Sequence, residues 1–303
     1  MEKVEWLVSV IIPTFKGTDS IIRAVSSVLN QTYSCVEVIV VDDNGRGTNE
    51  QVETERLLEK LIHSGKIYYI VHEVSKKGSA ARNTGFKVSH GDFISFLDDD
   101  DSFEAKNIEK HVESLTKHSE DYGFSYCDFK VIREGYSEES IKSTFEGDFL
   151  FDFLMGRVRV GSSLLCYRRH VFEELNGFDE SFKRHQDWEL ICRTLYKWKG
   201  AKTGYEGVNK YILSRNTPKE PKISEEYRLY YLNKMNPIIN SLGKQKARQI
   251  MQSNYFEISK DYFKAKKIVG GIRWIMKTHR PIYYSFKICL AAIKQRKKKN
   301  DIR

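Results

Sequence analysis

At 303 residues, with 40% hydrophobic and 30% charged side chains, the chain has an ordinary soluble balance and enough length to bury a sizeable core, in one large domain or a domain with an appendage. Its cysteines stand singly at Cys35, Cys127, Cys166, Cys192 and Cys289 without CxxC or CxxxH spacing, which argues against a zinc site and fits a reducing cytosol better than a disulfide framework. The net charge of +9 is uneven: residues 264–303 hold thirteen Lys and Arg against one acid, so that tail carries +12 and the rest −3.

A basic tail needs an anionic partner, and lipid headgroups and nucleic acid are the obvious ones. The start of the chain, residues 1–6, is charged and lacks the apolar core of a signal peptide. With no run of about 18 apolar residues, no helix is expected to span a bilayer. Aromatics, at 13%, suit sugar stacking and core packing equally.

Val8-Ser9-Val10-Ile11-Ile12-Pro13 reads as a buried strand ended by proline. Ile21, Ile22, Val25, Val28 and Leu29 recur at helical spacing behind a cap at Asp19 or Ser20. Residues 36–41 form a second β-rich run, followed by the polar turn Asp42-Asp43-Asn44-Gly45-Arg46-Gly47. A helix over 51–63, a strand over 67–71, a helix over 79–88 and a strand over 93–97 complete the first hundred residues. This alternation predicts an α/β fold with a mainly parallel, doubly wound sheet.

Past Asp101 the pattern loosens. It predicts a helix over 108–118, a strand over 123–129, a hairpin or mobile loop over 133–147, a strand over 160–167 and an amphipathic helix over 187–198. Residues 217–221 read as a linker, and from Ser224 onward the sequence is helical and increasingly basic. The domain reading is therefore a catalytic domain over 1–216, with halves at about 1–101 and 102–216, and a helical basic region over 217–303. No internal repeat is found, and the low-complexity stretch is confined to 294–299.

Ligands of open α/β sheets bind beyond the carboxyl ends of the strands. Three candidate clusters lie there: Pro13-Thr14-Phe15, Asp42-Asp43 and Asp98-Asp99-Asp100-Asp101. Four adjacent carboxylates repel one another, so the folded chain needs a reason to hold them. A hard divalent cation bound through oxygens supplies one, and alternation along an extended segment turns Asp98 and Asp100 to one site. The plainer alternative is a solvated acidic turn in which Asp101 or Ser102 caps the next helix.

Gly78-Ser79-Ala80-Ala81-Arg82-Asn83-Thr84-Gly85 is a second signal. Small residues let the backbone approach a ligand closely, and Arg82 reaches a diphosphate or an acidic neighbour. The alternative is a helix start packed tightly on the sheet. The absence of GxxxxGK[ST] excludes a P-loop. A third signal is His185-Gln186-Asp187-Trp188-Glu189-Leu190. Asp187 is either a general base or a first-turn helix acid. Trp188 stacks on a sugar or fills the core, while His185 and Glu189 read as ordinary surface groups.

Six stretches together resemble glycosyltransferase family 2, with the GT-A fold. They are Val8 to Phe15, Val40-Val41-Asp42-Asp43-Asn44, Gly78 to Gly85, Phe96 to Asp101, Gly177-Phe178-Asp179-Glu180 and Gln186-Asp187-Trp188-Glu189-Leu190. Each is common alone; all six in this order are specific, and the resemblance spans about residues 6–215. It implies that Pro13, Thr14, Phe15 and Asp43 form a nucleotide wall with Asp42 beside it, and that Asp43 accepts a hydrogen bond from the base, usually uracil. It implies nucleotide contacts at Gly78, Arg82 and Asp99. Asp98 lies near the ribose, and Asp98 with Asp100 forms the DxD pair that holds Mn2+ or Mg2+ at the diphosphate. Asp187 is implied as catalytic base, with Ser162, Gln186 and Trp188 as acceptor or sugar contacts.

The sequence departs from the family pattern in three places. Ser75-Lys76-Lys77-Gly78 replaces the usual Asn-x-Gly, the later Arg-x-His element has no clear counterpart, although Arg215 lies nearby, and the processive enzymes' Gln-x-x-Arg-Trp is missing. The last argues for addition of a single sugar. The implied reaction is a single inverting displacement, in which an α-linked nucleotide sugar, usually a UDP-sugar, gives a β-linked product. The implied acceptor is a lipid-linked glycan of a bacterial surface polysaccharide. Rival readings are a nucleotidyltransferase that makes the donor, for which Phe15-Lys16-Gly17-Thr18 is a poor loop, and a non-catalytic sugar-binding protein.

In the tail, Ile268, Ile272, Ile275 and Met276 form one apolar stripe, and Ile282, Phe286, Cys289, Leu290 and Ile293 another after Pro281. Lys and Arg surround both, with Trp274, Tyr283 and Tyr284 interspersed. That composition predicts an interfacial helix pair, drawn to anionic lipid by the 294–299 cluster, on the cytoplasmic face of the membrane. The alternative is a helix packed on the protein with a basic end. No motif supports nucleic-acid binding.

Overall fold

The computed structural model describes residues 5–133, 135–212 and 220–278. They fall into two compact units, one of residues 5–150 with 158–212, the other of Phe151–Arg157 with residues 220–278.

In the first unit, β1 (Val8–Thr14) is the hub. Its β-branched residues are buried and it pairs in parallel with β2 (Val36–Asp42) on one side and β4 (Phe93–Phe96) on the other; β3 (Tyr68–Val71) extends the parallel set beyond β2. The register aligns Thr14 with Asp42, and the Leu97 amide donates to the Ile11 carbonyl, so three strand ends meet at one edge. Helix α1 (Ile21–Leu29) buries Ile21, Val25 and Val28 of the predicted stripe together with Ala24, while Ile22 and Leu29 are exposed. Helix α2 (Asn49–His63) is capped by Thr48, whose hydroxyl accepts from the Gln51 amide.

Helix α3 (Gly78–Val88) lies against β1 and β2 with Ala80, Ala81 and Gly85 buried. A Cβ at Gly85 would stand 2.5 Å from Cγ2 of the buried Ile11. The tight packing read as an alternative for this stretch is therefore present, alongside a site contribution described below.

The other half of the sheet is mixed rather than parallel. The strand order is β3-β2-β1-β4, then β8 (Leu165–Arg168), β6 (Tyr122–Ile132), β9 (Lys199–Tyr211) and β5 (Asp101–Phe103), with β7 (Glu139–Ile141) added to β6 as an antiparallel hairpin over the segment predicted as hairpin or loop. β8 (Leu165–Arg168) is antiparallel to both β4 and β6. The expected strand over 160–167 begins instead as a 3-10 turn, Ser162–Leu164, with the Leu164 amide donating to the Gly161 carbonyl at 2.9 Å. The 13-residue β9 (Lys199–Tyr211) pairs with β6 in parallel and with the short β5 (Asp101–Phe103) antiparallel. β9 is polar and glycine-rich, which hides it from propensity. A Cβ at Gly200 would stand 2.7 Å from the Phe124 and Phe149 rings. Helices α4 (Asn107–Lys117), α6 (Arg169–Glu174) and α7 (Gln186–Lys197) complete this unit's connections, whereas α5 (Leu150–Leu154) belongs, apart from Leu150, to the second unit.

The second unit holds α8 (Pro221–Lys234), α9 (Asn236–Ser241), α10 (Lys244–Lys264) and α11 (Ile268–Met276). The segment Phe151–Arg157, placed in the first domain by sequence, groups here because Asn254 and Ser253 of α10 donate to the Leu154 and Met155 carbonyls. On α11, Trp274 is 2% exposed, and its indole N–H and the Tyr262 hydroxyl both donate to Glu225. Of the predicted stripe, Ile268, Ile272 and Met276 are exposed and Ile275 is buried; outside the stripe, Trp274 is buried and Val269 exposed. The second stripe and the 294–299 cluster lie outside the described residues. Among the described residues no helix is long and apolar enough to cross a membrane.

Alanine is the better helix former by about 1 kcal/mol, yet Gly85→Ala should lower unfolding free energy by about 1–3 kcal/mol, because its Cβ overpacks a core strand. Urea denaturation measures this, and an unchanged or higher midpoint would show that Ile11 gives way.

Candidate active site

The carboxyl edge of β1, β2 and β4 opens into a cleft of about 580 Å³. Of the residues the sequence singled out, Pro13, Thr14, Phe15, Asp43, Gly78, Arg82, Asp98, Asp99, Asp100 and Gln186 line it. Ala81, from the small-residue stretch, and Lys16 line it too, as does Lys183, which carried no sequence signal. Asp42, Ser162, Asp187 and Trp188 are not among its lining residues.

The acidic loop is a bonded turn, not a solvated one. The Asp101 amide donates to the Asp98 carbonyl. Asp98 Oδ1 accepts from the Arg82 guanidinium, and Asp98 Oδ2 lies 3.9 Å from Lys210 Nζ. Asp99 Oδ2 accepts from the Thr14 hydroxyl (2.7 Å) and the Phe15 amide (3.2 Å), which ties the exit of β1 to the loop. Asp101 does not cap a helix. It starts β5, is 3% exposed, and accepts from the Ser163 hydroxyl (2.6 Å) and Lys210 ammonium (2.7 Å). Ser163 Oγ in turn accepts from the Asp98 amide at 3.1 Å. Arg23, stacked 3.8 Å from the Tyr211 ring, donates to the Asp100 carbonyl.

Carboxylate oxygens of Asp98, Asp100 and Asp101 lie within 4.8 Å of one another, a hard-oxygen set of the kind that holds Mg2+ or Mn2+. Burial acts to raise the Asp98 carboxyl, but Arg82 and Lys210 outweigh it and hold Asp98 below the usual carboxylate range. Burial raises Asp101. Lys210 is held above its ordinary value because Asp101 and Asp98 outweigh the burial that acts to lower it.

Asp43 is buried with four hydrogen bonds. Its Oδ1 meets His72 Nδ1 (2.7 Å) and the Lys76 amide (2.7 Å); its Oδ2 accepts from the Ser75 hydroxyl (2.8 Å) and the Lys77 amide (2.8 Å). About four lone-pair sites is the capacity of a carboxylate. Asp42 is fully buried and bonded to the Tyr69 hydroxyl and the Asn44 amide, so it shapes the turn from inside. Phe15 is exposed, with Lys16 and Lys77 ammonium groups 5.5 and 6.0 Å from its ring centre.

Asp187 stands in the first turn of α7, after His185 in the left-handed conformation (φ 64°). Its Oδ1 accepts from the Trp188 amide at 3.0 Å. Burial raises its carboxyl, the Asp98 charge adds to this, and Arg82 and Lys210 oppose it. Trp188 is partly exposed, and His185 stacks on it at 4.1 Å and 21°. Ser162 is buried in the 3-10 turn.

Glu189 is not a surface group. It is 3% exposed and paired with Arg193, which also donates to the Leu175 and Gly177 carbonyls. Asn83 on α3 exchanges hydrogen bonds with the Phe178 backbone and donates to Glu180 (all 2.9 Å). Two motifs read separately from sequence are thereby joined, and the Phe178 ring lies 5.5 Å from the Arg82 guanidinium carbon. Asn83, Ser163 and Lys210 went unread. Asn83 lay inside a noted stretch, whereas Lys210 and Ser163 belong to no motif and meet only at Asp101, to which both donate.

Residues 9–174 match the sequence model of Glycosyl transferase family 2. The chain belongs to this family. It is 28% identical over 244 residues to the amylovoran biosynthesis glycosyltransferase AmsB of Erwinia amylovora, covering 76% of this chain and 77% of that one. It is 32% identical over 188 residues to the UDP-Glc:alpha-D-GlcNAc-diphosphoundecaprenol beta-1,3-glucosyltransferase WfgD of Escherichia coli, covering 61% and 68%. Among solved structures, S. aureus TarS 1-349 in complex with UDP-GlcNAc is similar with a TM-score of 0.64 at 14% identity, over 91% of this chain and 81% of that one. That likeness is one of fold, and the family 2 chain has the GT-A architecture.

Asp187 has a stability signature. Its folded value is raised, so its contribution is greatest below the unfolded value of about 3.9 and is lost as pH rises through the folded one. Asp187→Asn should therefore raise Tm at pH 7, and the gain should shrink toward pH 4. A lower Tm at pH 7 would mean the fold needs the carboxylate.

Proposed function

We propose that this family 2 glycosyltransferase moves one sugar from a UDP-sugar to an acceptor hydroxyl by a single inverting displacement. The observation that carries it is the meeting, in one cleft, of the close carboxylates of Asp98 and Asp100 with the Arg82 guanidinium bonded to Asp98. The Asp187 carboxyl, outside the lining of that cleft, is raised by burial and by the Asp98 charge.

In this reading Pro13, Thr14 and Phe15 border the base and ribose. A base N–H that reaches Asp43 takes the place of one existing donor, and only the Ser75 hydroxyl among the four can rotate away. Gly78 lets the backbone approach the diphosphate, and Lys16, Lys183 and Arg82 face it with positive charge. Asp98 and Asp100 would hold Mn2+ or Mg2+, which when bound offsets negative charge on the departing nucleoside diphosphate. Asp187 takes the proton of the attacking hydroxyl, and a carboxyl raised toward working pH suits that task. Gln186 and Trp188, beside it on α7, and Ser162 orient the acceptor.

The names of the relatives favour a lipid-linked acceptor in bacterial surface polysaccharide synthesis. WfgD's names a diphosphoundecaprenol-linked sugar and UDP-Glc, and AmsB's names amylovoran biosynthesis. No observation favours a nucleotidyltransferase or a sugar-binding protein over this. A panel of UDP-sugars, assayed for transfer and slow hydrolysis, tests the proposal. Asp100→Ala and excess chelator should each cut turnover by about 10²-fold or more. Asp187→Asn should keep donor affinity in calorimetry and lose about 10²–10⁴ in transfer. Full turnover in Asp100→Ala would remove the cation from the account.

The acceptor reading places the chain on the cytoplasmic face of a membrane, and α11 supports it. Val269 is 83% exposed, Ile268, Ile272 and Met276 share the outer surface, and Lys266, Lys267, Arg273 and Lys277 flank them. Replacing Ile268, Val269 and Ile272 by serine should weaken co-sedimentation with anionic vesicles at high salt, where apolar insertion remains, more than at low salt. Because Trp274 and Ile275 are left in place, the packing of α11 on α10 is kept. Equal binding by both proteins at high salt would move the membrane site elsewhere.

A further inference from the structure

The two oxygens of Asp187 are unequally engaged. Oδ1 accepts from the Trp188 amide at 3.0 Å, whereas Oδ2 has no hydrogen-bond partner among the described residues. A carboxylate offers about four lone-pair sites, so this partly exposed acid keeps most of its accepting capacity on one side. That side faces Gly161. A Cβ at Gly161 would stand 3.3 Å from Asp187 Oδ2, and beyond its chain neighbours it would meet no other atom within 4 Å.

The backbone does not require glycine there. Gly161 is extended (φ −155°, ψ 173°), a conformation that any residue adopts. The segment is also fixed in place. Val160 and Ser162 on either side are buried, and the Gly161 carbonyl accepts from the Leu164 amide at 2.9 Å. Gly161 itself is partly exposed. Neither Gly161 nor Asp187 lines the cleft above the acidic loop, although Gln186, next to Asp187, does. The free oxygen is therefore bordered by a bare stretch of backbone outside the lining of that cleft.

We infer that Gly161 is a specificity-determining residue whose missing side chain leaves the space through which an acceptor hydroxyl reaches Asp187 Oδ2. The inference rests on the reading of Asp187 as general base, and it assigns the working oxygen and the side of approach. As the hydroxyl oxygen bonds to the anomeric carbon, its proton passes to Oδ2. The bond to the nucleoside diphosphate breaks, and its electron pair leaves with that group. A hydroxyl within reach of Oδ2 lies about 2.6–3.2 Å from it, the space that a methyl group at 161 would occupy. Water, the smallest acceptor, would be obstructed least.

The test compares wild type with Gly161→Ala and Gly161→Val, both on the whole chain. Carbodiimide coupling to glycine ethyl ester, read by peptide mass spectrometry, reports access to the Asp187 carboxyl without any substrate. Labelling of Asp187 should fall in Gly161→Ala and further in Gly161→Val, while the exposed Glu113 labels as in wild type. Calorimetry with UDP should show unchanged affinity in both variants. With UDP-glucose as donor and a lipid-diphosphate-linked GlcNAc as acceptor, Gly161→Val should lose about 10²-fold in transfer and less in hydrolysis by water.

Should Gly161→Val fail to fold, the labelling of Gly161→Ala decides. Equal labelling of Asp187 in wild type and the folded variants, or none in wild type, would overturn the inference whether or not these substrates turn over. Full transfer by Gly161→Val where Asp187→Asn is inactive would overturn it and leave the general base standing. Full transfer by Asp187→Asn would overturn both.

Discussion

Four aspartates in a row at the end of a buried strand are the constraint from which the rest of the first unit follows. Their mutual repulsion in a partly dry site must be answered by specific partners. Arg82 from α3 answers Asp98, the Thr14 hydroxyl and Phe15 amide from β1 answer Asp99, and Lys210 from β9 with Ser163 answers Asp101. Each answer comes from a different element. Neutralising the loop therefore ties the parallel half of the sheet to the mixed half. Arg82 is itself held in place, since Asn83 beside it fastens to the Phe178 backbone and the Phe178 ring lies near the guanidinium.

The same charges divide the work between carboxylates. Arg82 and Lys210 hold Asp98 ionised, whereas Asp187, with burial and Asp98 acting on it, is raised. Two acids pushed in opposite directions by one environment are suited to different tasks, one to staying charged and one to exchanging a proton. The donor side has a parallel economy. Asp43 is fully bonded before any ligand arrives and so fixes Ser75, Lys76 and Lys77 beside the cleft. Lys77, at φ 78°, occupies backbone space that favours glycine, in the stretch that departs from the family's Asn-x-Gly.

Most of the parallel half could be read in the sequence because its strands are uniformly apolar and its helices keep a clear stripe. β1, α1, β2, α2, α3 and β4 all lie within a few residues of their predicted bounds. The mixed half could not. β9 is rich in lysine and glycine, and β5 is three residues long and starts with an aspartate that reads as a cap. The residues that line the cleft were named because they lie on contiguous motifs at strand ends. Those that hold them in place are single residues whose partners are far away in sequence: Lys210 meets Asp101 through the β5–β9 register, Ser163 from a 3-10 turn, and Asn83 reaches Phe178 from α3. Glu189 failed for a related reason. Its helix position looks like a surface position until Arg193 is seen reaching the Leu175 and Gly177 carbonyls. On α11 three of the four stripe residues are exposed, but the interspersed Trp274 has an internal partner, Glu225, that composition does not reveal.

The central claim is that the acidic loop and the edge of β1 together receive a nucleoside diphosphate with a divalent cation. A crystal structure of the chain grown with UDP and Mn2+ tests it most directly. The account predicts the base against Pro13 and Phe15, the diphosphate over Gly78 and Arg82, and the cation between that diphosphate and Asp98 and Asp100. Nucleotide bound elsewhere, or a cation held away from Asp98 and Asp100, would contradict it.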